Sequence, residues 1–502
     1  MIGASRLEAL LDDPFVKEVT EAIEDRLPKG VRARQLSVRT LLLGMLLAVA
    51  DDRPAHLSRV HDALLALGAE ERVRLGVVVS SRKGPHLLSY RQVEYTNSLV
   101  CSLLGKDVPD GGASALLEGL QGALLEASVP QWAKTLSSSL AIDWSDIESF
   151  SKPPPKKGGE CADPEASWGH RRGKGPGQKD ELFFGYYFSL ATMVNDEGSP
   201  AVPELVRAMS LSSCWRDPVP IIVAVLEHLC TKGLSIGDVL VDSGYAHRRA
   251  EAFALPMRAL GANLVMDLHP GDRGPQGTFA GAILHNGNLY CPATPRVLFE
   301  LGPLARDASS TVIEAHDKMT DELSCYKLGK ITKPDADGYH RVLCPAVMNK
   351  CRCPVHKDSM ELSFDRPEVF SVPSPAPRCC LQMSLTVPPS VNAKTAQKHD
   401  YPSKAHRRSY ARRTAVERSN SRVKDPASID VAKGWCRLMG LAPISLFLVC
   451  ALAVRNLAVD DAFSERALDE QICKDAGLGT RTRRRRRRSL SDLAGLTLST
   501  SP

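Results

Sequence analysis

The chain lacks a hydrophobic run long enough to span a bilayer. Its longest nearly uncharged stretch, Leu438 to Val454, contains Gly440 and Pro443, ends in Arg455 and Asn456, and falls short of the ~20 residues a spanning helix needs. It reads as a buried core helix starting near Pro443. A signal-peptide pattern is also missing, because Asp12 and Asp13 interrupt any apolar stretch at the start. The 14 cysteines lie scattered over the chain, which fits a reducing cytoplasm. Together these absences leave a cytoplasmic protein as the expectation.

A large net charge is absent as well: the balance is +6 over 502 residues. Its distribution, however, is uneven. The segment from Lys404 to Lys424 and the run RTRRRRRR (Arg481 to Arg488) are both strongly basic, which points to a polyanionic partner. The arginine run is expected to be a disordered end that can also clamp DNA without sequence preference.

With room for about three domains, the chain divides by pattern. Residues 1–136 carry helical periodicity in LSVRTLLLGMLLAVA, HLSRVHDALLAL and SYRQVEYTNSLVCSLL, and read as a separate helical domain. Arg32, Arg34, Arg39 and Arg91 are either its DNA contacts or surface solubility charges. In 137–268, SSSLAIDWSD predicts a strand ending on Asp143, and KPPPKKGGECADPEA is an irregular linker. ELFFGYYFSLATMV and PELVRAMSL predict two further strands. Then follow a helix in PVPIIVAVLEHLCTKG capped by Gly233, a strand in IGDVLVDSGYA ending on Asp242, a helix in RRAEAFALPMRALG and a strand in ANLVMDLHP. Strands followed by alternating helix and strand indicate an α/β sheet. Residues 269–400 turn to Gly, Pro and Cys with short β-like pieces and read as a β-rich insertion. The sheet unit resumes over 401–463, and a basic tail occupies 464–502.

Two aspartates close apolar strand-like runs, Asp143 after LAI and Asp242 after VLV, where ligands gather in open α/β sheets. Asp146, Glu148, Asp238 and Asp267 compete with them, and an aspartate there is often only a turn or cap residue. A third carboxylate, Glu417, lies in YARRTAVERSNSRVKD. Wound at about 100° per residue, Tyr410, Arg413, Glu417 and Lys424 fall near 0°, 300°, 340° and 320° and share a polar face. A solvated helix with an ordinary Arg413–Glu417 pair is one reading of that face. In the other, three carboxylates hold two Mg²⁺ ions, with Mn²⁺ as substitute, roughly 3.5–4 Å apart at a phosphodiester, and the cations grip the polyanion's backbone.

The spacing Tyr410, two residues, Arg413, three residues, Glu417, six residues, Lys424 resembles the Y-(2)-R-(3)-E-(6)-K signature of bacterial insertion-sequence transposases with a DDE active site. VLVDSGY, holding Asp242, Gly244 and Tyr245, resembles their second-aspartate motif, and the likeness extends over about Leu140 to Ala458. It implies an RNase H-like mixed sheet with flanking helices, interrupted by the β-rich insertion. It also implies Asp143, Asp242 and Glu417 as catalytic metal ligands, and Tyr410, Arg413 and Lys424 as contacts to transposon-end DNA. The activity implied is Mg²⁺-dependent cleavage and strand transfer at inverted-repeat ends, by a homodimer on double-stranded DNA at the bacterial nucleoid. Two alternatives stay open, a transposase-derived DNA-binding protein without catalysis and another RNase H-like nuclease.

In the insertion, Cys291, Cys325, Cys344, Cys351, Cys353, His356, Cys379 and Cys380 include ligand types suited to a structural Zn²⁺. Yet C-x-C and C-x₂-H make no standard knuckle, so reduced structural cysteines are the expected reading.

Overall fold

A computed structural model describes residues 2–28, 34–52, 55–81, 84–106, 114–155, 159–171, 179–305, 307–335, 337–432 and 435–475. Arg32 and the arginine run Arg481 to Arg488 lie outside the described residues.

The N-terminal part folds into helices α1 (Ala4–Leu11), α2 (Pro14–Arg26), α3 (Val38–Ala50), α4 (Leu57–Leu65), α5 (Tyr90–Leu104) and α6 (Ala115–Ala127). The aspartate pair that breaks the apolar start has a local task, since Asp13 caps α2 by accepting from the amides of Phe15 and Val16, with Pro14 in the first turn. Helix α3 is buried on nearly every side. Gly44 lets α4 approach it, because a Cβ there would stand 2.8 Å from Val60 Cγ1.

One mixed sheet forms the centre. Its strands are β1 (Ser139–Glu148), β2 (Ser167–Arg171), β3 (Glu181–Val194), β4 (Val206–Ser213), β5 (Asp238–Val241) and β6 (Asn263–Met266). β1 pairs antiparallel with β3 from Ser139↔Val194 to Glu148↔Gly185. On its other side it pairs parallel with β5, which pairs parallel with β6. The far edge of β3 carries both β4 and β2. Near-continuous burial along β3 and β4, including the arginine and serines of β4, matches a sheet covered on both faces.

Alternation divides β1 between two cores. Leu140 and Ile142 pack with Val219, Ile222 and Leu226 of α7 (Pro218–Thr231). Ala141 and Ile147 join the opposite core with Val416 and Val423. That second core also takes in α1 to α6 and the apolar half of a long C-terminal helix. The N-terminal helices therefore share a core with the sheet, where the sequence suggested a separate domain. The periodicity shows an apolar face but not what covers it.

The insertion holds two small three-stranded sheets made of short strands, and a 16-residue helix, α8 (Ser310–Cys325), which the β-rich reading did not foresee. Beyond it come α9 (Lys404–Tyr410), a 3-10 turn at Ala411–Arg413, α10 (Thr414–Lys424) and α11 (Leu441–Asp475). The signature segment is thus two helices joined by a tight turn. α11 starts two residues before Pro443 and passes Ser464 without a break. Among the described residues it is the one helix long and apolar enough to cross a membrane, but its most apolar window is 83% buried inside the protein. Three other expectations differ locally. β1 continues past Asp143 because β3 keeps pairing with it. β2 arises from SWGHR, which was not read as a strand. The stretch RRAEAFALPMRALG breaks at Phe253 into two short turns of helix.

Asn456, where the apolar run of α11 stops, is fully buried. Its amide accepts from Val206 N at 2.8 Å and donates to Val206 O and Ser128 Oγ, each at 2.8 Å. One side chain thus ties α11, the sheet edge and the end of α6 together. Asn456→Ala leaves a buried backbone N–H and C=O unpaired, so it is expected to cost about 2–4 kcal/mol in urea unfolding. A loss below about 0.5 kcal/mol would mean that solvent reaches this seam.

Candidate active site: carboxylates under a basic helix

The register fixes two of the three carboxylates. Leu140 pairs with Val239 and Ala141 with Leu240, so Asp143 and Asp242, each two residues further on, stand level on neighbouring parallel strands about 4.8 Å apart. Both share the parity of Ala141 and Leu240, which face the core under α10. β5 ends at Val241, whereas β1 runs on, so Asp143 sits at a fork in the sheet. Asp242 caps a short helical turn by accepting from Gly244 N at 2.9 Å. Glycine is required there: a Cβ would lie 2.3 Å from the Trp144 ring.

α10 lies across β1 and β3, burying Ala415, Val416, Ser419, Asn420 and Val423, and Thr192 Oγ1 meets Ser419 Oγ at 3.1 Å. This packing sets Glu417 and Asn420 at the edge of the aspartate pair. Asn420 Nδ2 donates to Asp143 Oδ2 at 3.3 Å. Arg413, only 13% exposed, reaches Asp143 Oδ2 at 3.5 Å and pairs with Glu417, which is 47% exposed. Its guanidinium also lies over the Tyr410 ring, 5.6 Å from the centroid. Tyr410 in turn stacks on His406, whose Nε2 lies 2.9 Å from Met266 O. The signature residues are therefore anchored to the end of β6.

The abundance of cations in this segment has a structural explanation. Arg407 pairs with Asp317, Arg412 with Asp238, Arg418 with Glu204 and Lys424 with Asp146. Where the sequence suggested a row of cations facing a polyanion, most of them bind this protein's own acids. The same pairs sort the aspartates. Asp238 is held by Lys398 and Arg412, Asp146 by Arg171 and Lys424, and Asp267 by Arg273 and Tyr401. Glu148 pairs with Arg171. Burial raises the Asp146 carboxyl, but hydrogen bonds from Arg171 and Lys424 outweigh it and hold the group below its ordinary range. Asp143 is the opposite case: burial first, and then the charge of Asp242, push it up to about 7 despite Arg413. Among the described residues, Asp242 has no cation within ion-pair distance.

A groove of about 1240 Å³ opens beside this cluster, lined by Trp144, Arg171, Lys179, Glu417, Asn420 and Lys424 among others. Sequence reasoning missed Asn420, although its place three residues after Glu417 put it on the same helical face, and Arg171, which lies on the unforeseen β2.

The donor set of Asp143, Asp242 and Glu417 consists of hard carboxylate oxygens, with Asn420 Oδ1 buried beside them and lacking a hydrogen-bond partner. That chemistry fits Mg²⁺ or Mn²⁺. The three carboxylates do not converge within 4.8 Å; among the described residues His247, His269 and Asp272 do. That group is already engaged, since Lys394 Nζ lies 2.8 and 2.7 Å from the two oxygens of Asp272 and Gly271 N donates to His269 Nδ1.

The raised Asp143 carboxyl makes a stability prediction. The folded state holds this proton up to about pH 7, while an unfolded aspartate releases it near pH 4. This group's contribution is therefore most favourable below pH 4, and it becomes destabilising as pH rises through 7. Asp143→Asn, which cannot ionise, is expected to gain on the wild type by roughly 2–4 kcal/mol between pH 4 and 8. Parallel thermal melts at the two pH values test this; a difference that does not change with pH would show that Asp143 is not crowded.

Comparison of the chain with protein-family models, with curated proteins and with solved structures finds no match.

Proposed function

We propose that this chain is a DDE-type DNA transposase that cleaves element ends and transfers the freed strand, with an RNase H-like catalytic core. One observation carries the reading. Three residues of the spaced signature, Tyr410, Arg413 and Glu417, meet beside two aspartates from neighbouring parallel strands, with Arg413 between Asp143 and Glu417, while Lys424 is held on Asp146. A solvated helix would leave Arg413 in water; here its side chain is largely covered by the cluster. The sheet also supports an RNase H-like core, with β1 central, antiparallel to β3 on one side and parallel to β5 on the other.

In this reading Asp143, Asp242 and Glu417 would hold the metal ions, which when bound would supply Lewis-acid activation and charge neutralisation at a phosphodiester. The protein's own groups set the stage. Burial keeps Asp143 short of solvent, so cation binding there also displaces a proton at neutral pH. Arg413 balances Asp143 and Glu417 and would be the guanidinium placed to meet a phosphate beside them. Asn420 orients Asp143 through its amide. Lys424 and Arg171 hold Asp146 at the groove wall, where DNA beside the carboxylates would pass. The basic run Arg481 to Arg488 would add contacts without sequence preference. The alternative of a DNA-binding derivative without catalysis predicts the loss of an acidic ligand, and all three carboxylates are present.

The test is a plasmid carrying the gene with its natural flanks, incubated with purified protein and Mg²⁺. Wild type is expected to nick at the element ends. Asp242→Asn and Glu417→Gln are expected to lower nicking by about 100-fold or more, as for a misplaced reacting phosphate, while gel-shift affinity for the same DNA stays close to wild type because these ligands act on the transition state. Unchanged nicking in both variants would overturn the site.

A further inference from the structure

The insertion contains a thiol cluster that the carboxylate site does not use. Cys291, Cys344, Cys351, Cys353, Cys379 and Cys380 are all buried, in the two small cores of a segment with little regular structure. Three of them share a local design. Cys291, Cys344 and Cys353 are each followed by proline, and each chain then turns back, with Thr294 N, Met348 N and His356 N donating to the carbonyls of Cys291, Cys344 and Cys353 at 3.1, 3.2 and 2.9 Å. Burial pushes all three thiols up, and backbone amides of the turns oppose it: Ala293 at Cys291, Ala346 and Val347 at Cys344, Val355 and His356 at Cys353.

Five amide donors around three neutral thiols accomplish little, since a thiol is a weak acceptor. Around thiolates they are strong charge-assisted bonds. A fourth sulfur completes the set. Cys291, Cys344, Cys353 and Cys380 are electrostatic neighbours in every pairing, and the sulfurs of Cys379 and Cys380 lie 3.9 Å apart. The spacing of the cysteines alone hides this arrangement, because the turns repeat along the chain at Cys291, Cys344 and Cys353 while the fourth partner is 27 residues beyond the last of them, 380 − 353.

We propose that Cys291, Cys344, Cys353 and Cys380 form a closed four-thiolate site for a structural Zn²⁺ that staples the insertion together. Four thiolates in a tetrahedron suit Zn²⁺ and leave no position open for substrate. Their sulfurs do not converge within 4.8 Å as the ligand atoms of His247, His269 and Asp272 do, whereas a zinc tetrahedron has sulfurs about 3.8 Å apart. Metal entry therefore draws the turns inward and expels the thiol protons to solvent. The need is physical: each of the two cores is small, cysteines supply many of their members, and small cores commonly require a metal or covalent staple. This site is independent of the proposed transposase activity.

The test uses the full chain purified from zinc-supplemented medium and dialysed without chelator. Metal analysis is expected to find about one zinc per chain, and exchange into Co²⁺ to give the sulfur-to-cobalt charge-transfer band and the visible bands of tetrahedral thiolate coordination. The Cys344→Ser/Cys353→Ser double variant is expected to lose metal; Cys325→Ser, in the insertion but outside the set, is expected to keep it. Wild type without zinc and without the cobalt thiolate bands would overturn the proposal even if the double variant fails to fold, as would a double variant with wild-type metal content.

Discussion

The crowding of Asp143 and Asp242 under α10 is the constraint to which the rest of the molecule is fitted. Two carboxylates on neighbouring parallel strands repel each other, and burial of Asp143 removes the water that would screen them. A fold that keeps such a pair stores unfavourable electrostatics and must hold its geometry by other means. Those means are visible: α10 is pinned by apolar packing on β1 and β3, α9 by His406 on β6, and the turn between them by the ion pair of Arg412 with Asp238.

Neighbouring arginines therefore have opposite tasks. Arg412 neutralises an aspartate that starts β5, and Arg413 is shared between Asp143 and Glu417. Asp146, three residues from Asp143, lies between Arg171 and Lys424 and titrates in the other direction. Identical side chains on one strand are thus set apart by the cations that surround them. In the proposed role a site that takes cations from solution would have to be under-neutralised, with the acids around it satisfied so that they do not compete.

Much of this was legible in the sequence because it rests on short-range patterns. The apolar runs of β3 and β5 and the helical period of α7 located the sheet, and the i, i+4 spacing brought Arg413 and Glu417 to one side of a helix. What escaped depends on pairing. β1 outlasts its own apolar run because β3 pairs with it through Glu148, and β2 exists only by addition to the edge of β3. The covering of α3 by α4 and the packing of α11 against it could not be inferred from periodicity, which records that a face is apolar and not its partner. For the same reason the cations of 404–424 read as a DNA surface: their partners, Asp238, Asp317, Glu204 and Asp146, are distant in sequence.

Ion pairing also changes how the basic segment would meet DNA in the proposed role. A freely solvated lysine row binds a polyanion by releasing counterions, and each contact adds its share to the salt dependence. Arg413 and Lys424 instead must exchange one anion for another, so the carboxylates they leave would need a replacement charge. At Asp143 and Glu417 a divalent cation can supply it, which makes cation and phosphate binding mutually supportive at this end of the groove. At Asp146 the second cation, Arg171, remains in place when Lys424 departs. The helix that concentrates charge around Glu417 is thus neither a plain surface nor a plain clamp: its cations hold the fold together, and two of them stand where ligands could compete for them.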